Sequence, residues 1–286
     1  MPELPEVESL VRFLGERTVG QEIERADLAA ISALKTFDPP LDALRGLAVT
    51  DTGRRGKFLL FHAEPLWLVL HLARGGWVKW HDMLPTARPK PGKGPLALRV
   101  GLADGGGFDV TEAGTEKRLA AYVVRDPADV EGIARLGPDP LDPAFDVATF
   151  RARLAEHGGQ VKGALTTQSV IAGVGNAYSD EALHVARLSP FKGADKLSDD
   201  EAARLHAALQ QVLREAVERA AGLPAAGLKS DKKSHMRVHG RTGLPCPECG
   251  DTVREVSFAT KSLQYCATCQ TGGKPLADRR LSRLLK

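Results

Sequence analysis

No stretch of this 286-residue chain is apolar for long enough to cross a bilayer. The longest, near Leu66 to Leu72, falls well short of the ~20 residues that a spanning helix needs. The chain also lacks a positively charged opening that leads into an apolar segment, the mark of a cleavable leader. Together these absences predict a soluble cytosolic protein with no membrane partner. Cysteine is missing everywhere except between positions 246 and 269, so no thiol remains elsewhere for redox chemistry. Internal repeats are absent as well, which excludes a solenoid or array. The net charge is only +3, but it is unevenly spread. Ala226 to Lys286 holds twelve Lys and Arg against five Asp and Glu. A basic end of this kind suits a polyanion such as nucleic acid, although basic tails also serve solubility alone.

What is present begins at the amino end, with Met1-Pro-Glu-Leu-Pro-Glu-Val-Glu8. Removal of Met1 would give Pro2 a terminal secondary amine, of a class that titrates near pH 8 rather than near the ~10.4 of lysine. Such an amine adds to an aldehyde carbon and forms a cationic Schiff base. Glu3 and Glu6 lie beside it as proton-transfer candidates, or as simple caps of a helix. Val7, Leu10, Val11 and Leu14 share one face of a helix expected over Glu6 to Glu16, which would hold Pro2 against a folded domain.

The four cysteines form two pairs, Cys246-Pro-Glu-Cys249 and Cys266-Ala-Thr-Cys269, separated by 16 residues. Four thiolates so spaced surround one structural Zn²⁺ tetrahedrally and leave no open position for a catalytic water. Two disulfides are the alternative, which a cytosolic setting disfavours. Strands expected over Val253 to Phe258 and Ser262 to Tyr265 would form a hairpin between the metal knuckles, with zinc supplying folding energy that so small a core lacks.

Between the two ends the texture changes once. The region up to about Val130 reads as β-rich, with apolar segments at Leu59 to Leu72 and Leu96 to Leu102, a glycine turn at Gly105 to Gly107, and an exposed loop at Pro85 to Pro95. After Pro138 to Pro143 helical periodicity dominates: Phe145 to His157, Lys162 to Gln168, Tyr178 to Val185 and Ser198 to Ala221. The expected domains are 1–135, 136–225 and 226–272, followed by a basic tail over 273–286.

The opening Met1 to Glu6, the Arg54-Arg-Gly-Lys57 segment, Gln168 to Glu181 and the terminal cysteine finger occur in the order found in the Fpg/Nei family of base-excision-repair DNA glycosylases, which the chain resembles over nearly its whole length. The resemblance implies a multidomain α+β fold: an N-terminal β-sandwich with a leading helix, a helix-two-turn-helix domain and a C-terminal zinc-finger hairpin. It implies a bifunctional glycosylase/AP lyase, with Pro2 as nucleophile, Glu3 as proton-transfer partner, Lys57 at the active site and Glu6 shaping the pocket of the amine. Asn176 matches the family's phosphate-binding asparagine, and Lys162 is a lesser phosphate candidate. Lys261 stands where relatives commonly carry arginine at the finger tip, which keeps the charge but loses the bidentate fork.

Two departures concern the residues that fill the gap left by an extruded nucleotide. Where a familiar branch has His-Leu-Gly-Met-Ser-Gly, this chain has His71-Leu-Ala-Arg-Gly-Gly76. Where that branch has Asp-Pro-Arg-Arg-Phe-Gly, it has Thr115-Glu-Lys-Arg-Leu-Ala120. Arg74 and Leu119 therefore stand in for methionine and phenylalanine, with Arg74 on a phosphate and Leu119 in the core as the alternative; His71 is a further cleft candidate. The implied partners are damaged double-stranded DNA and abasic-site DNA, bound by a monomer associated with the bacterial nucleoid. No organic cofactor is implied. Oxidised purines are the expected substrates; an endonuclease VIII-like taste for oxidised pyrimidines and a noncatalytic damage-binding role are the alternatives.

Overall fold

A computed structural model of the protein describes residues 1–92, 94–258 and 262–277. The chain divides into two compact units, one formed by Met1–Leu136 with Ala220–Lys229, the other by Gly137–Arg219 with Ser230–Lys286. Among the described residues no helix is long and apolar enough to cross a membrane.

The first unit begins with α1 (Leu4–Thr18), followed by β1 (Ile23–Leu28), β2 (Asp51–Arg55), β3 (Phe58–Ala63), β4 (Leu66–His71), β5 (Gly76–His81), β6 (Leu96–Leu102), β7 (Gly107–Glu112), β8 (Ala120–Val124) and the short α2 (Glu131–Ala134). The strands make two antiparallel four-stranded sheets, ordered β1-β6-β7-β5 and β2-β3-β4-β8. Period-two alternation decides what lies between them. Leu59 and Phe61 of β3 and Leu68 and Leu70 of β4 join Leu98, Val100, Phe108 and Val110 of the other sheet in one core. Phe61 and Phe108 stack across it with centroids 5.3 Å apart. The opposite face of β3 and β4 is apolar too, because Phe58, Leu60 and Val69 pack with Val124 and Val130. That double burial explains why the sequence around Leu66 is continuously apolar rather than alternating.

Helix α1 starts at Leu4, two residues earlier than its apolar periodicity predicts. Glu3 and Glu6 form a capping box, with the Glu6 carboxylate accepting from the Glu3 N–H at 2.8 Å. Val7, Leu10, Val11 and Leu14 enter the core. Gly15 allows the helix to approach β2 closely, since a Cβ there would lie 2.5 Å from Thr52 Oγ1. At the start of the Pro85 to Pro95 segment, Arg25 of β1 donates to the carbonyl of Thr86 at 2.9 Å.

The second unit holds α3 (Val147–His157), α4 (Val161–Thr166), α5 (Asn176–Val185) and α6 (Asp199–Ala220). After α7 (Leu228–Ser234) come β9 (Val253–Ser257), β10 (Ser262–Cys266) and α8 (Ala267–Thr271). Asp146 caps α3 by accepting from the Thr149 N–H at 2.8 Å, which sets its start two residues after Phe145. Phe150, Leu154, Leu165, Leu183, Leu205, Leu209 and Leu213 are fully buried. β9 and β10 form the antiparallel finger hairpin, and Leu276 packs against its residues Val256, Leu263 and Tyr265.

Candidate active site and nucleic-acid interface

At the start of α1 the exposure changes abruptly. Met1 is half exposed, Pro2 is buried, and Glu3 is only 2% exposed. Glu6, also buried, holds the Glu3 backbone through the cap and thereby fixes the residue that follows Pro2. The Glu8 carboxylate accepts from Arg54 Nε at 3.1 Å, tying the first turns of α1 to β2. Arg54 also donates to the Gly56 carbonyl at 3.2 Å, inside the two-residue Gly56-Lys57 turn between β2 and β3. Gly56 takes a positive φ of 54° there, which suits the tight hairpin. Arg54 is thus a brace between helix and turn, a role that nothing in the Arg54-Arg-Gly-Lys57 segment signals on its own.

Lys57 is buried, and its charge is felt at His71. Phe58 pairs with His71 across β3 and β4, and their rings lie 4.7 Å apart. Burial, reinforced by the Lys57 ammonium, pushes the His71 imidazole down to about 4. His71 is therefore neutral at physiological pH, able to donate or accept one hydrogen bond at each ring nitrogen but not to attract phosphate by charge.

Arg74 is exposed, in the turn that follows β4, beside Ala73 at a positive φ of 49°. The Gly75 carbonyl of this turn accepts from Ala113 N–H at 3.1 Å, joining it to the 113–119 loop. That loop is gripped by the buried Glu112 carboxylate, which accepts from the N–H of Arg118 at 2.9 and 3.0 Å and of Leu119 at 3.1 and 3.0 Å. The consequence for Leu119 is a correction. Its side chain is 2% exposed and belongs to the sandwich core, so it is not a protruding wedge. Lys117 and Arg118 are the exposed residues at this end of the loop.

In the second unit, Asn176 opens α5 and donates through Nδ2 to the Ser262 carbonyl at 2.7 Å. Gln168 shapes the preceding loop: its amide accepts from Gly173 N–H at 3.0 Å and donates to the Val174 carbonyl at 2.7 Å. Lys162, expected to contact phosphate, is instead buried. Its ammonium donates to the Asn176 carbonyl at 3.1 Å, Ser179 Oγ at 2.9 Å and Asp180 Oδ1 at 2.5 Å. Asp180 also accepts from His239 Nδ1 at 2.8 Å, while Glu181 takes the N–H groups of Arg237, Val238 and His239 at 2.7 to 2.9 Å. These two acids bind the segment leading into the finger. Lys261 lies outside the described residues, as do Arg279, Arg280 and Arg283 of the tail.

The sulfurs of Cys246, Cys249, Cys266 and Cys269 all fall within 4.8 Å of one another. Tetrahedral zinc at ~2.3 Å from each sulfur needs sulfurs about 3.8 Å apart, so the cluster fits a structural Zn²⁺ after small adjustments. Burial pushes the Cys266 thiol up to about 11, and raises Cys269 as well, while the Asp251 N–H lowers Cys249. Without metal, the two raised thiols hold their protons at neutral pH.

Three family models match in chain order: the formamidopyrimidine-DNA glycosylase N-terminal domain over residues 1–113, its H2TH domain over 136–225, and the zinc finger found in FPG and IleRS over 243–272. A formamidopyrimidine-DNA glycosylase of Symbiobacterium thermophilum is 36% identical across 98% of this chain and 93% of its own length. The chain belongs to the formamidopyrimidine-DNA glycosylase family. It is a DNA glycosylase and AP lyase. An uncharacterized formamidopyrimidine-DNA glycosylase-like protein of Mycobacterium tuberculosis is 62% identical, over 53% of this chain and 94% of the relative. Among solved structures, the MutM (Fpg) protein of Thermus thermophilus superposes with a TM-score of 0.80 at 33% identity, covering 96% of this chain and all of that one. A Lactococcus lactis Fpg variant in complex with Fapy-dG-containing DNA gives 0.82 at 26% identity, covering 94% of this chain and all of that one.

Proposed function

We propose that Pro2, freed of Met1, is the nucleophile of a glycosylase/AP lyase that excises oxidised purines such as 8-oxoguanine and formamidopyrimidine from duplex DNA. The observation that carries this reading is the enclosure of Pro2 and Glu3 at a capped helix start, beside a chain end that remains accessible. The amine lone pair of Pro2 attacks C1′ of the extruded nucleotide, and the bond to the damaged base breaks with its electrons leaving on the base. Glu3 delivers a proton to the ring oxygen as the sugar opens, leaving an iminium between Pro2 and C1′. The iminium withdraws electrons, a proton leaves C2′, and the 3′ phosphate departs; a second elimination can release the 5′ phosphate. Water then hydrolyses the imine and restores the amine. Lys57 supplies positive charge for the phosphate or lesion. Asn176 and Lys261 hold the backbone, and Arg74 enters the gap or reads the opposite base. Repair of chromosomal DNA places the enzyme in the cytoplasm with the nucleoid.

The departures at Arg74 and Leu119 favour a second reading, a preference for oxidised pyrimidines. One experiment addresses both. Protein with a verified free Pro2 is incubated with borohydride and duplexes carrying 8-oxoguanine, formamidopyrimidine, thymine glycol, dihydrouracil or an abasic site. A covalent adduct mapping to Pro2 is expected, strongest on the purine lesions. Adducts ranking the pyrimidine lesions first would establish the second reading, and no adduct on any duplex would sink the Pro2 chemistry. Pro2→Gly should abolish most turnover while leaving lesion binding within a few fold.

A further inference from the structure

Asn176, Asp180 and His184 recur at every fourth position of α5 and so lie along one helix face. Each hydrogen-bonds the finger. Asn176 Nδ2 donates to the Ser262 carbonyl at 2.7 Å, and Asp180 Oδ2 accepts from the Gln264 N–H at 3.2 Å. His184 Nε2 lies 3.2 Å from Sγ of Cys246, the first metal ligand. The imidazole is 2% exposed, and its Nδ1, also buried, has no hydrogen-bond partner among the described residues. The sulfur contact is thus the one hydrogen bond this ring makes among those residues. A metal-bound thiolate has no hydrogen to give, so the hydrogen in that contact must sit on Nε2.

We propose that His184 is a positioning residue of the zinc site: its Nε2–H donates to Cys246 Sγ, orients that thiolate for the metal, and fastens the first knuckle to the helix that begins at Asn176. Hydrogen bonds to ligating groups set ligand orientation and charge, and their loss typically weakens metal binding 10- to 100-fold. Because the same helix face grips β10 at Ser262 and Gln264, the metal knuckle and the Asn176 anchorage share one rigid element. Metal occupancy and the placement of Asn176 therefore support each other, and each favours the other by the same factor. The role is independent of the Pro2 chemistry.

The test uses the full zinc-loaded chain and reads metal release to a chromophoric chelator, together with the absorbance of the cobalt-substituted protein. His184→Phe keeps a ring but no donor, whereas His184→Gln keeps an N–H. The expected result is zinc release about 10- to 100-fold faster in His184→Phe and within roughly threefold of wild type in His184→Gln. Sulfur-to-cobalt charge-transfer bands should move to lower energy in His184→Phe, because an unbonded thiolate gives up electrons more readily. Unchanged release from His184→Phe overturns the proposal, and so does release from His184→Gln as fast as from His184→Phe, which would mark a packing role. Nitrogen NMR of the zinc-loaded wild-type chain needs no variant: hydrogen on Nε2 is expected, and a ring carrying it on Nδ1 overturns the proposal even where His184→Phe fails to fold.

Discussion

A half-buried imidazole beside a buried ammonium takes up a proton only at a cost to the fold. His71 titrates near 4 in the folded protein against an ordinary 6.5. Between those values the unfolded chain binds the proton and the native one does not, so stability rises with pH across this window and is lost as pH falls from 6.5 towards 4. The loss approaches about 3 kcal/mol at the acid end. Denaturant unfolding at a series of pH values should show it, and His71→Asn should flatten that part of the profile. Lys162 gives a second residue-level prediction. Its ammonium sits among Asp180, Ser179 and the Asn176 carbonyl, so Lys162→Met leaves a buried carboxylate short of its cation. A stability loss of about 3 kcal/mol is expected by equilibrium unfolding; unchanged stability with weaker DNA binding would instead restore a phosphate role. Nothing local in the sequence separates a lysine that meets phosphate from one that meets an aspartate eighteen residues later. Only the packing of α4 on α5 decides it.

Elements were more legible than their ends. The apolar spacing of α1, the alanine-rich α6 and the two cysteine knuckles each carried a local signal, and each forms where expected. The 113–119 loop carried none. Matching it by spacing put an apolar residue at a wedge position, yet Glu112 pulls the Arg118 and Leu119 N–H groups inward and seats Leu119 in the core. Glu112→Ala should leave two inward-facing donors unsatisfied, costing about 2 kcal/mol. The freed loop should then be cut faster by trypsin after Lys117 or Arg118, which limited proteolysis would reveal. In the finger, zinc replaces protons on thiols such as Cys266, raised to about 11. Metal binding should therefore release protons and weaken as pH falls, as titration calorimetry in buffers of differing ionisation enthalpy would record. Chelation should abolish amide protection in β9 (Val253–Ser257) and β10 (Ser262–Cys266).

For the molecule as a whole, the excess of basic residues after Ala226 makes binding to duplex DNA an ion-exchange process. Affinity should fall linearly with salt on logarithmic axes. Lys261→Ala should lower that slope by about one and weaken all duplexes alike, whether damaged or not. A changed lesion ranking with an unchanged slope would remove Lys261 from the phosphate contacts.

Met1 stands half exposed before a buried Pro2. On the chemistry proposed for Pro2, any residue still joined ahead of it turns the reacting amine into a peptide nitrogen without a free lone pair, so proteolysis has to make the nucleophile. An aminopeptidase is then the activator of the enzyme, and any blocked or extended amino end yields a protein that can grip damaged DNA while leaving it uncut.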